Sequence, residues 1–167
     1  MAKEKLTHKR LVSILDYNSS TGVFKWLDTR RGRVNIGDKA GSLQEDGYIR
    51  IRVDGVLYYA HVLAWFYCYK KFPTKQIDHI NNKRHINKIS NLREATRSQN
   101  AHNSKKRAKN KSGYKGVRYY KRLGKYVAQI TVKYKKHHLG YFKTAKEAHA
   151  AYCKAARTLH GKFSRTA

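Results

Sequence analysis

Asp78 and His79 stand side by side in the stretch Ile77-Asp78-His79-Ile80-Asn81-Asn82. Asn91 follows the histidine by twelve positions, and Asn100 comes nine later. These residue types suit the metal-assisted hydrolysis of a phosphodiester. That reaction needs a base to deprotonate water, a cation to stabilise charge on the phosphorane and the leaving 3′ oxygen, and a rigid frame for both. His79 fits the base, because an imidazole titrates near neutrality. The Asp78 carboxylate and the Asn100 amide oxygen are hard donors, suited to a Mg²⁺ ion that keeps several waters. Asn91 is a candidate to orient the imidazole. Adjacent residues of a strand point to opposite faces, so Asp78 and His79 serve one site only at a strand end or a twist. By spacing alone, the same asparagines also fit caps of turns and helices.

The elements around this set can be read from periodicity. Leu11, Ile14 and Leu15 fall at helical spacing, predicting a short helix from Thr7 to Tyr17. Val23 to Leu27 and Tyr48 to Val53 read as strands, and Asp54-Gly55 as a two-residue hairpin turn into Val56 to Ala60. A helix is expected over His61 to Lys70, closed by Pro73, the only proline. Thr96 and Gln99 form a capping box that starts a helix and sets Asn100 on its first turn. The stretch Ser104 to Ser112 has five basic residues and no apolar anchor beyond one Ala, and reads as a linker. Beyond it come strands at 114–119, 126–133 and 137–142. A helix from Thr144 to His160 follows, with a second capping box at Thr144 and Glu147 and a stop at Gly161. Its Ala148, Ala151, Tyr152, Ala155, Ala156 and Leu159 make one face. In the middle strand Ala128, Ile130 and Val132 are expected to meet that face, leaving Val127, Gln129, Thr131 and Lys133 open.

Charge points to the partner. The 167 residues carry 38 Lys+Arg against 10 Asp+Glu, a net charge of +28, while 40% hydrophobic residues are too many for a disordered polycation. Residues 1–103 hold 19 basic and 9 acidic side chains; residues 104–167 hold 19 and 1, which favours two modules. No apolar run is long enough to span a membrane, and the opening MAKEKLTHKR lacks the core of a secretory signal, so a cytoplasmic protein is expected. Cys68 and Cys153 lie far apart with no C-x-x-C, which argues against a disulfide scaffold and a cysteine zinc site.

At Leu11 to Asn103 the chain resembles the HNH homing endonucleases of the ββα-metal type. The resemblance rests on DYNSSTGVFKW, the AG…DGY element, AHVLAW, DHIN, NLREAT and the final Asn100. It implies Asp78 and Asn100 as metal ligands, His79 as general base and Asn91 as the residue holding His79. Two positions depart from the family: Ile86-Asn87 stand where many members have Asp-Asn, and Val62 where Arg is common. His61 and His85 are read as a helix-packed and a solvated histidine.

Residues Ser112 to Gly161, SGYKGVRYYKRLGKYVAQI and HHLGYFKTAKEAHAAYCKAARTLHG, resemble the plant ethylene-response-factor type of DNA-binding domain. That family lays the open face of a three-stranded sheet in the major groove. Position by position, the resemblance implies DNA contacts from Lys115, Arg118, Tyr120, Tyr126, Gln129, Thr131, Lys136 and His138. Several family arginines, a Glu and a Trp are replaced, so the plant target sequence does not transfer. Physically, a strand ribbon fits the major groove, and Gln pairs with adenine edges.

The expected protein is therefore α+β: a nuclease module over 1–103, a basic linker over 104–112 and a DNA-binding module over 113–167. Its expected activity is site-directed, Mg²⁺- or Mn²⁺-dependent cleavage of double-stranded DNA, as a monomer that nicks or a dimer that cuts both strands. No membrane partner is expected. A mobile, bacteriophage-borne gene is an expectation by analogy alone. The rival reading is a non-enzymatic DNA-binding regulator with a degenerate nuclease segment. An RNA-binding basic protein accounts for the charge but not for Asp78, His79, Asn91 and Asn100.

Overall fold

A computed structural model describes residues 6–29, 34–106 and 110–166. By packing, the chain divides into two compact units, Met1–Glu94 and Ala95–Ala167. Among the described residues no helix is long and apolar enough to cross a membrane.

In the first unit, Thr7 caps helix α1 (His8–Ile14) by accepting a hydrogen bond from the Arg10 amide. The helix stops short of Tyr17. Leu15 and Tyr17 are buried while Asp16 and Asn18 are exposed, and this two-residue alternation forms strand β1 (Leu15–Asn18), antiparallel to β2 (Val23–Trp26). A three-stranded antiparallel sheet follows, with β4 (Ile49–Val53) between β3 (Ser42–Leu43) and β5 (Val56–Tyr59). Its Asp54-Gly55 turn has positive φ at both residues, as the sequence predicts. Helix α2 (Ala60–Tyr69) runs on directly from β5 and buries Leu63, Ala64 and Phe66 against Leu11, Ile14, Phe24 and Ile51. Strand β6 (Gln76–His79) pairs with β7 (Leu92–Ala95), and a long loop joins them.

That loop is tied to the β1–β2 hairpin. Tyr17 donates its hydroxyl to the Asn87 carbonyl at 2.7 Å. Gly22, at φ +76°, faces the Asn87–Lys88 backbone so closely that a Cβ there would collide with it. The motif glycine and tyrosine of the lead-in thus set where Asn87 sits.

The second unit begins with α3 (Arg97–Asn103), whose Thr96/Gln99 capping box is present in both directions. The sequence division places this helix with the nuclease module, whereas by packing it belongs with the residues that follow. Strands β8 (Val117–Tyr120), β9 (Lys125–Val132) and β10 (Lys135–Phe142) form an antiparallel sheet with β9 in the middle. Helix α4 (Ala145–His160), with its Thr144/Glu147 box, lies on one face. Ala128 and Ile130 pack there with Ala148, Tyr152 and Ala156, because small side chains let helix and sheet approach closely. Leu159, expected on that face, is 48% exposed. Part of the predicted linker is ordered onto this unit: Lys106 Nζ donates to the Gly113 carbonyl at 3.0 Å, and Asn110 Nδ2 to the Tyr114 carbonyl at 2.7 Å. Residues 107–109 of it lie outside the described residues.

Candidate active site and nucleic-acid interface

Asp78 and His79 close strand β6, and each is only 4% exposed. His79 is the last residue of the strand, the strand-end position that a shared role requires. A carboxylate can be buried only when something replaces its water. Here Arg93 of β7 supplies Nε at 2.8 Å and Nη2 at 2.7 Å, both to Oδ2 of Asp78.

The His79 ring is held by Asn87, whose Oδ1 lies 3.0 Å from Nε2. Asn87 is 1% exposed. An amide oxygen only accepts, so Nε2 carries the hydrogen and Nδ1 holds the lone pair that can take a proton. Burial, opposed by the Asn87 bond and the Asp78 charge, pushes the imidazole below its ordinary pKa.

Asn91 does different work from that expected. Its Oδ1 accepts the Asn81 amide at 3.1 Å, and its Nδ2 donates to Asn81 Oδ1 at 3.1 Å and to the Ile86 carbonyl at 2.8 Å. Its own carbonyl accepts the Ile80 amide at 2.9 Å. Asn91 therefore stitches the ends of the loop that carries Asn87, and Asn87 holds the ring. The signal for Asn87 was its place in the Ile86-Asn87 pair, but sequence spacing cannot choose between two asparagines of one loop.

Aromatic rings also pack around the imidazole. The His61 ring stands edge-on to His79 at 5.1 Å, stacks on Tyr59 at 5.2 Å and lies 5.1 Å from Tyr48. Arg84 sits over Tyr48 at 4.9 Å. His61 is packed, as expected, and its partner is the candidate base. Its Nδ1 is buried without a hydrogen-bond partner, and burial, helped by the nearby His79, pulls its pKa down to about 3. A folded-state pKa below the unfolded value means that only the unfolded chain takes the proton between the two. Stability is then full above about pH 6.5 and falls as the solution is acidified toward pH 3, by up to about 1.4 kcal/mol per pH unit. His61→Phe should flatten that acid limb in chemical denaturation at pH 7, 5.5 and 4.5; an unchanged limb would assign it to other groups.

Asn100 lies on α3 in the second unit and is partly buried. Among the described residues no group of three or more His, Cys, Asp or Glu gathers as a metal cluster. An Asp carboxylate and an Asn amide oxygen are each, taken singly, donors suited to a hard, partly hydrated cation rather than to a closed zinc site.

On the sheet, register decides which side chains face away from α4. Arg118 pairs with Val127, and Lys136, His138 and Tyr141 pair with Thr131, Gln129 and Val127. These residues, with Tyr120, share the face opposite Ala128 and Ile130. Tyr126 does not. It has the parity of Ala128 and packs against the cluster of Val117, Ala128 and Ala148, which corrects its expected DNA contact. Lys115 is engaged within its own unit: its Nζ donates to the carbonyls of His102 and Ser104, each at 2.7 Å. Tyr141 was missed. A bulge between His138 and Gly140 shifts the alternation by one, bringing Tyr141 to the open face, 48% exposed and 4.7 Å from His138.

Two family models match the chain. Residues 58–102 match the HNH endonuclease model, which takes in Asp78, His79, Asn87, Asn91 and Asn100. Residues 112–162 match the AP2 domain. The chain carries an HNH endonuclease domain followed by an AP2 domain. No curated protein and no solved structure matches. The HNH match runs to residue 102, so it takes in α3 even though α3 packs in the same unit as the AP2 domain. A cleft of that unit is bordered by Arg97, Lys105 and Lys111 as well as by Arg118, Gln129 and Thr131 of the AP2 sheet.

Proposed function

We propose that the protein is a metal-dependent, site-directed DNA endonuclease of the homing type. The observation that carries this reading is His79: a buried imidazole fixed through Nε2, beside a buried carboxylate, inside the HNH match. Its Nδ1 takes the proton from the attacking water. Asn87 keeps the tautomer and Asn91 steadies the loop. Asp78 and Asn100 are the proposed ligands of one Mg²⁺ or Mn²⁺, whose charge would stabilise the phosphorane and the leaving oxygen. Arg93 fixes the Asp78 carboxylate.

The AP2 sheet reads the duplex through Arg118, Tyr120, Gln129, Thr131, Lys136 and His138, and Tyr141 joins them. Gln129 is suited to an adenine edge, and Arg118 and Lys136 to phosphates or guanine. The basic residues bordering the cleft extend this face along the backbone. Replacing Arg118 and Lys136 together by alanine should weaken binding and lower the slope of log affinity against log salt by about 2, because each lost phosphate contact removes about 0.9. An unchanged slope in a fluorescence-anisotropy titration would remove them from the interface.

The direct test is nicking of supercoiled plasmid by the full chain with Mg²⁺ or Mn²⁺ and with EDTA, followed by selection of cleaved sites from a random DNA library. Metal-dependent nicking at a preferred sequence supports the reading. Tight binding without cutting, across metals and targets, favours the regulator.

A further inference from the structure

Helix α3 is held by the AP2 unit at its C-terminal end. The last carbonyls of a helix have no partners within it, and a lysine there satisfies them while opposing the negative end of the helix dipole. Lys115 does this for His102, in the last turn, and for Ser104, the cap. The His102 ring stacks on that of His160 with centroids 3.6 Å apart and planes 7° from parallel. His160 ends α4, and its Nε2 lies 3.0 Å from the Thr131 carbonyl of β9. The helix end is thus locked to both layers of the AP2 fold. Lys115 is half-buried, and burial draws its pKa to about 8, in keeping with an ammonium partly withdrawn from water onto those carbonyls.

We propose that Lys115 and His102 are positioning residues that mount α3, and with it Asn100, on the DNA-reading unit, so that a metal ligand of the nuclease is carried by the AP2 fold. This rests on the reading of Asn100 given above. It assigns Lys115 a role opposite to the DNA contact that the resemblance implies. Ser104, directly after α3, then becomes part of a structural joint.

The test uses the full chain with Lys115→Met, Lys115→Arg and the milder His102→Ala. Amide hydrogen exchange, measured without metal or DNA, should quicken about tenfold over α3 in Lys115→Met and severalfold in His102→Ala. Exchange in β9 should stay unchanged, and Lys115→Arg should restore protection. DNA affinity should change less than threefold, while the Mg²⁺ concentration for half-maximal nicking should rise at least fivefold. Loss of affinity with α3 exchange unchanged would overturn the proposal and return Lys115 to the DNA interface. Unchanged exchange in both Lys115→Met and His102→Ala would overturn it as well. If the wild type does not nick, the nuclease reading fails on its own, and the exchange data still decide whether the clamp exists.

Discussion

His79→Ala should lower the single-turnover rate of plasmid nicking by roughly 10²- to 10⁴-fold, the range typical of a lost general base. DNA affinity, measured without metal, should stay within about twofold, because the proposed DNA contacts lie on another unit. The orientation of the base makes the prediction sharper. If Asn87 Oδ1 keeps the hydrogen on Nε2, then Asn87→Ala lets the ring turn and populate the other tautomer, and nicking should fall by a smaller factor with His79 intact. Asn87→Asp would bring a carboxylate to Nε2, favour the charged imidazolium and move the acid limb of the pH–rate profile upward. A His79→Ala protein that cuts at the wild-type rate would remove the imidazole from the chemistry. An Asn87→Ala protein with the wild-type rate and pH profile would mean that other contacts fix the ring.

The sequence makes legible whatever depends on neighbours along the chain. Both capping boxes, the Asp54-Gly55 turn and the Asp78-His79 pair are local statements, and each stands where the spacing puts it. What it conceals depends on how the chain folds back. Asn87 and Asn91 share one loop, and only the docking of that loop on Tyr17 and Gly22 decides which of them meets the imidazole. Leu15 and Tyr17 fit a helical face as well as a strand face until β2 is there to pair with them. On the AP2 sheet, strict alternation already excludes Tyr126 from the face that holds Gln129, so position-by-position transfer from the plant family overrode a rule the residues themselves supplied. Tyr141 is the reverse case, hidden by alternation and recovered by a bulge at Leu139 that no residue type announces, although Gly140 permits it with φ +133°. Lys115 shows the limit for charge: a lysine in a basic module reads as a phosphate contact until two carbonyls claim it.

Arg93→Met should be the most damaging single change to the first unit. It leaves the Asp78 carboxylate, 4% exposed, without the guanidinium that now lies 2.7 Å away. Breaking one side of a buried ion pair costs about 3–5 kcal/mol, since the surviving charge keeps its desolvation penalty. For a unit of this size, that is a fall in melting temperature of roughly 10 °C or more. The double variant Asp78→Asn, Arg93→Met should recover much of the lost stability, because a buried pair replaced by neutral groups is often close to neutral in cost. It should remain unable to nick, since an amide at position 78 lacks the charge that a hard divalent ion requires. Calorimetry and plasmid nicking on the same three proteins therefore separate the two duties of Asp78. Recovery of stability together with activity would show that the carboxylate is there for the fold alone. Recovery of stability without activity would place it at the metal, with Arg93 as the group that lets a buried anion wait there in the absence of the ion.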